Sequence, residues 1–227
     1  MATVFGQGRV ISNFALTHFN AAKHFSEKTS QIENDNADQP FGNFWEEISI
    51  YCSSSIITAA ASLEALINEL FISEGELHNR IQDFDTFFWG GEEIEKACFF
   101  FNRKHKITGL ERKSALVKYK KAVSLMDRSP LSKKDPEYSA AGTLIGFRNH
   151  LIHFKPLWDE ERRNDNLEQS LNGLFALSPF VDKGASFLEK KCMSAGCSQW
   201  AVETVVNFVT YFANKSGIDS KKLGSFK

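Results

Sequence analysis

Residues 44–72 read FWEEISIYCSSSIITAAASLEALINELFI, and how that stretch folds decides the class of the whole chain. Ile56, Ala60, Leu63, Ile67 and Leu70 recur at steps of four and three, the period of one face of an α-helix. The spacing therefore predicts one long helix over 44–72. Within it, residues 53–62 are almost all small, a surface that lets a second helix approach closely. The longest uncharged run, 48–63, is interrupted by five serines and a threonine. That falls short of the ~18 apolar residues a bilayer span needs, so no membrane association is expected.

Helical periodicity continues in both directions from this segment. Toward the N-terminus, Ile11, Phe14, His18, Ala22 and Phe25 predict a helix over 10–26, with His18 as a packed residue and not a ligand. Residues 31–42 are polar and end in Pro40 and Gly42, which reads as a loop. Beyond the long helix, Gly90 and Gly91 break the pattern, and Leu116, Tyr119, Val123 and Met126 predict a helix over 113–126. Asp135-Pro136-Glu137 is a helix start: a capping residue, a proline in the first turn and an acid against the helix dipole. That helix carries Leu144, Ile145, Leu151 and Ile152 and is stopped by Pro156. Residues 164–197 lack periodicity and read as an irregular segment. A last helix is expected from Ser198 through Ala201, Val205, Phe208, Val209 and Phe212 to Gly217. No alternating strand pattern and no internal repeat is present, so the expectation is an all-α bundle forming one domain over 1–227.

Composition sets limits on function. A chain of 227 residues buries a core without disulfides or a structural metal. With a net charge of -1 the molecule as a whole does not attract polyanions, but its charges are segregated. Arg103, Lys104, Lys106, Arg112, Lys113, Lys118, Lys120 and Lys121 face only Glu111, forming a local basic run suited to phosphate. The acidic stretch with Asp83, Asp85, Glu92, Glu93 and Glu95 reads as a solvated loop and not a metal site. Cys52, Cys98, Cys192 and Cys197 have neither a zinc-ligand spacing nor a disulfide framework. Reduced thiols in a cytoplasmic protein are the expectation, with no cofactor and no metal.

The stretch that carries chemistry is Gly146-Phe147-Arg148-Asn149-His150-Leu151-Ile152-His153-Phe154-Lys155-Pro156. Arg148 falls within an apolar stripe of Ala141, Leu144, Ile145, Leu151 and Ile152, where a cation is costly unless paired. Beside it runs a second stripe, Gly142, Gly146, Asn149 and His153. Each interior glycine costs about 1 kcal/mol relative to alanine, which makes sense if another backbone comes close. Arg148 and His153, five residues apart, point about 140° apart around the axis and lie ~7.5 Å apart along it. One helix does not aim both at one point, whereas a twofold pairing with a second copy brings two arginines and two histidines around one cleft.

Arg148-Asn149, three residues and His153 resemble the arginine, polar residue, histidine motif of the HEPN ribonucleases. The resemblance extends over roughly 44–212, with a HEPN-like core over 44–215 and an extra N-terminal helix; only the short motif is specific. It implies metal-independent cleavage of RNA at a composite site in a homodimer, with Arg148 and His153 catalytic. Asn149 is expected to orient His153 or the phosphate, and Glu64 and Asn68, four apart on the long helix, to hold Arg148. Lys104, Lys106, Lys113 and Lys155 are the candidate RNA-binding cations. The family's use as toxins and antiphage effectors implies a further regulatory or antitoxin partner. In one HEPN toxin group a tyrosine two residues after the histidine is modified by a partner enzyme; Lys155 stands there in this chain. The alternatives are a non-catalytic HEPN module binding a nucleotide, RNA or protein, and a helical scaffold in which Arg148 is one half of a buried ion pair.

Overall fold

The computed structural model describes residues 14–72, 110, 112–125, 128–155, 166–217 and 226. Among them the fold is all-α, with no strand and seven helical segments. These are α1 (Phe14–Asp35), α2 (Phe44–Ile72), α3 (Ala115–Leu125), α4 (Pro136–Ile152), α5 (Asn166–Leu171), a π-helical turn (Phe187–Lys191) and α6 (Ala195–Ser216). The breaks around Gly90 and Gly91 and the acidic stretch lie outside the described residues.

α2 has the span its periodicity predicts and is the axis of the bundle. Ile48, Cys52, Ile56, Ala59, Ala60, Leu63, Leu66, Ile67 and Leu70 are buried along it. α1 packs along one flank, α4 and α6 along another, and α3 near its C-terminal end. By length and composition α2 is apolar enough to cross a bilayer, contrary to the sequence expectation. Half of its apolar window is buried against the other helices, the pattern also shown by the core helix of a bundle.

The small residues of α2 set the distance of closest approach. Ser55 Oγ donates to the carbonyl of Ala22 on α1 at 2.9 Å, and Ser26 Oγ of α1 lies 3.2 Å from Ser198 Oγ of α6. Buried hydroxyls with partners incur little of the desolvation cost they would otherwise carry. This seam also explains why α1 runs to Asp35 instead of stopping near residue 26. Ala15, Phe19, Ala22, Ser26 and Thr29 continue one buried face, and Thr29 Oγ1 satisfies itself on the carbonyl of Phe25 at 2.8 Å. Thr29 and Ser30 are helix-compatible because their hydroxyls bond back to the carbonyls of Phe25 and Ser26. α1 is thus an integral layer of the core.

Two carboxylates cap helices from a distance. Glu69 of α2 accepts from the N–H groups of Phe14 and Ala15 at the described start of α1, at 2.7 and 2.9 Å. Glu33 of α1 accepts from Ala195 N–H at the start of α6, at 2.8 Å. α6 begins three residues before the expected Ser198, because Ser194 is its N-cap and accepts from Cys197 N–H. It ends on Gly217 at φ 78°, a left-handed cap that glycine adopts without strain. The expected irregular segment before it contains α5 and the π-helical turn, whose wide bonds run from Lys191 N–H to Ser186 O and from Cys192 N–H to Phe187 O.

α3 is anchored by Tyr119. Its hydroxyl donates to the carbonyl of Leu63 at 2.8 Å, and its ring stands edge-on to Phe208 and Phe212 at 4.8 and 4.7 Å. Asp135 is the residue before α4, as expected, but its side chain does not cap the helix. It accepts instead from the Tyr211 hydroxyl and from Ser132 N–H.

Candidate active site

α4 buries Tyr138, Ala141, Leu144 and Phe147 at steps of three. Steps of three drift around a helix of 3.6 residues per turn, so the buried face rotates along α4. By the C-terminal half it has passed Arg148 and reached Phe147 and Leu151. Ile152, expected in the apolar stripe, is consequently 50% exposed. Arg148 sits at the edge of the core, with its side chain 21% exposed, and its Nη2 donates to Glu64 Oε2 on α2 at 2.8 Å. Arg148 Nε is buried without a hydrogen-bond partner. Glu64 is 41% exposed, so the pair lies at the rim of the protein and not inside it.

Asn68, also expected against Arg148, is engaged elsewhere. Its Oδ1 accepts from Lys118 Nζ of α3 at 2.8 Å. Lys118 is buried because it shares the inward face of α3 with Ala115 and Ala122. The basic run is therefore not one solvated face. Lys118 turns inward, Lys120 lies over the Tyr138 ring at 4.9 Å, and Lys113 is exposed. Lys104 and Lys106 lie outside the described residues.

His153 is the C-cap of α4, with its N–H bonded to the carbonyl of Asn149. Its side chain is exposed, as are those of Asn149 and Lys155. Phe154 beside it is 46% exposed, so Ile152 and Phe154 flank His153 with apolar surface. Arg148 turns toward α2 while His153 leaves the last turn into solvent. Among the described residues no hydrogen bond joins Arg148 to His153.

The glycine stripe has a different neighbourhood from the one its composition suggests. A methyl at Gly142 would meet Leu116 Cδ1 of α3 at 3.5 Å, and one at Gly146 would meet Leu167 Cδ1 of α5 at 3.6 Å. Both are ordinary contacts with side-chain tips of the same chain. Among the described residues, close approach of this chain's own backbone therefore does not account for either glycine.

Two contacts hold His150, one of them from far along the chain. His150 Nε2 lies 3.3 Å from Glu189 Oε1 on the π-helical turn, and the Phe154 ring stands edge-on to His150 at 6.0 Å. His150, expected on the exposed side, is half-buried by these partners.

Other features lie apart from this region. A cleft of about 570 Å³ between the start of α4 and α6 is lined by Glu137, Trp200, Glu203 and Asn207 among others. A second, of about 550 Å³, is lined by Glu27, Asp35 and polar residues of α1 with Gln199. Neither is lined by Arg148 or His153, and their carboxylates disfavour a polyanion. Cys52, Cys192 and Cys197 are buried and unbridged; burial pushes the thiols of Cys192 and Cys197 well up, with Cys52 adding to the effect. Such thiols are poor nucleophiles. Among the described residues no cluster of three His, Cys, Asp or Glu side chains is arranged to hold a metal ion.

Fold and site together define an all-α bundle carrying an arginine–carboxylate pair at its rim and an exposed histidine at the end of the same helix. Comparison with family models, with characterised proteins and with solved structures finds no match to this chain.

Proposed function

We propose that the chain is a metal-independent endoribonuclease of the HEPN type, with its active site completed by a second copy. The observation that carries this reading is the pairing of Arg148 with Glu64 at the protein's rim, on the same helix that ends in exposed His153. A guanidinium so held presents its remaining N–H donors in a defined direction, suited to the non-bridging oxygens of a phosphodiester. A neutral imidazole has a ring nitrogen that accepts a proton.

The reaction follows from these groups. His153 takes the proton of a ribose 2′-hydroxyl, and the 2′-oxygen attacks the adjacent phosphorus. Arg148 stabilises the negative charge that gathers on the phosphate oxygens. The bond from phosphorus to the 5′-oxygen breaks and the departing oxygen takes up a proton, leaving a 2′,3′-cyclic phosphate and a 5′-hydroxyl. DNA has no 2′-hydroxyl and is inert in this scheme. Because Arg148 and His153 diverge on their helix, one chain supplies half of each centre, and a twofold contact across Asn149, Ile152, His153 and Phe154 supplies the rest. Lys113 and Lys155, both exposed, are the described candidates for contacts to the RNA backbone. A cytoplasmic toxin or antiphage effector, restrained by a regulatory partner, is the role that fits such an activity.

One observation favours a second reading, a HEPN-type module that binds RNA, a nucleotide or a protein without cutting. Glu64 already occupies Arg148, as in a structural tie between α4 and α2. A single experiment separates the two. Purified protein is incubated with RNA in EDTA beside His153→Ala. Cleavage to cyclic-phosphate ends by the wild type, lost by a factor of about 10² to 10⁴ in the variant, is the expected result. A strict metal requirement, or equal activity of the variant, overturns the ribonuclease.

A further inference from the structure

The two long helices that carry the fold's C-terminal half end in different ways. α6 stops on Gly217 in a left-handed cap whose N–H bonds to the carbonyl of Ala213. α4 has no such device: its C-cap is His153 at φ −103° and ψ 30°, with one backbone bond back to Asn149. The last four carbonyls of a helix lack partners within it, and its last turn is where a helix frays first. Yet His153 sits at that end, and a proton acceptor needs a defined direction.

The missing restraint comes from His150, one turn earlier. Glu189 reaches it from the π-helical turn, Oε1 to Nε2 at 3.3 Å. The turn itself is fixed by its neighbour Leu188, which is buried in the core, and by its two wide backbone bonds. π-Helical turns insert an extra residue and recur at functional positions; here the wide turn anchors Leu188 inward while Glu189 reaches α4. From the other side the Phe154 ring packs edge-on against His150, with centroids 6.0 Å apart, so the chain leaving α4 folds back over the same imidazole. His150 is thus held by Glu189 and by Phe154, the residue that follows His153.

We propose that His150 and Glu189 form a clamp that fixes the last turn of α4 and so sets the direction of the His153 side chain. They are positioning residues: neither touches the reacting atoms, and each acts through His153. The inference deepens the ribonuclease reading and rests on it for its effect on catalysis, while the clamp itself is a property of the free protein.

The test uses the full chain carrying Glu189→Ala, and Glu189→Gln as the conservative variant whose side-chain oxygen still accepts from the imidazole. The two side chains are 24% and 23% exposed, and one hydrogen bond of this kind makes a modest contribution to global stability, so melting within a few degrees of wild type is expected. Two readouts follow in the protein alone: the imidazole resonance of His153, assigned by its loss in His153→Ala, and amide exchange over residues 149–153. Glu189→Ala should shift that resonance and speed exchange there by about tenfold, with Glu189→Gln restoring both. A resonance and exchange rates equal to wild type in Glu189→Ala overturn the clamp, whether or not the protein cuts RNA. With RNA, Glu189→Ala should lower kcat by roughly 10- to 100-fold at nearly unchanged KM. Wild-type kcat in that variant removes the positioning role while leaving the ribonuclease standing. Absence of cleavage by the wild type removes the ribonuclease, and the resonance and exchange data then still decide the clamp.

Discussion

The seam where α1, α2 and α6 meet and the C-terminal half of α4 are built on opposite principles. In the seam, small residues draw three helices together and the buried hydroxyls of Ser26, Ser55 and Thr29 all have partners. At the end of α4, Ile152 and Phe154 expose about half of their surface, and Arg148 Nε is buried with no partner. The first region uses its polar groups to hold helices in register. The second keeps apolar surface and cationic donors at the rim, where they add little to stability. A region so arranged makes sense when its partner is another molecule, which is why the proposed site lies there and not in either cleft.

The largest stability effect should come from crowding the seam. Ser55→Leu inserts methylenes where Ser55 Oγ touches the Ala22 backbone, and should cost about 1–3 kcal/mol. Thermal melting reads this as a drop of several degrees; an unchanged melt would mean that the seam is loose and the contrast with α4 unfounded. Gly146→Ala tests the other region. Among the described residues the added methyl meets only Leu167 Cδ1, at 3.6 Å, so the isolated chain should gain up to about 1 kcal/mol from helix propensity. If a second copy packs on the glycine stripe, the same substitution weakens dimerisation in light scattering. A stabilised chain with an unaltered oligomeric state would show that the stripe is not the contact.

Arg148→Ala should cost less, on the order of 0.2–1 kcal/mol, because the Glu64 left behind is substantially exposed and readily solvated. RNA cleavage should nevertheless collapse. A loss of several kcal/mol in chemical denaturation would instead identify the ion pair as a structural tie and favour the binding module.

The smallest effects are those of pH, and they have opposite signs in the two parts of the fold. Burial raises the Glu33 carboxyl, opposed by its bond from Ala195 N–H. A raised folded value means that Glu33 contributes stability below the unfolded value and loses it as pH rises through the folded one. Glu33→Gln should therefore gain on the wild type as pH rises above the ordinary glutamate range. At the start of α4, the Tyr211 hydroxyl, with help from Ser132 N–H and Lys215, holds Asp135 below the ordinary aspartate range. Its contribution is present above the unfolded value and is lost as pH falls through the folded one. Asp135→Asn should be the less stable protein above about pH 4 and converge on the wild type in stronger acid. Melting curves across pH that run parallel to wild type for both variants would remove both assignments.

Much of the architecture was legible one residue at a time. The span of α2, the start of α4 at Pro136 and the stop at Gly217 follow from periodicity and from the backbone preferences of proline and glycine, which act within a few residues. The Arg148 and His153 pair was likewise visible as a motif, and Glu64 as a carboxylate on the facing helix. The extension of α1 to Asp35 was not, because it rests on Thr29 being buried in the core while its hydroxyl bonds back to Phe25, and burial of a polar residue leaves no mark in the local pattern. Other contacts around the site depend on residues far apart in the chain. Asn68 meets Lys118 across 50 positions and His150 meets Glu189 across 39. Local sequence preferences carry no information over such distances. Which face of α4 turns inward, and hence that Arg148 finds Glu64 while Ile152 is left in solvent, was settled only when the helices packed around α2.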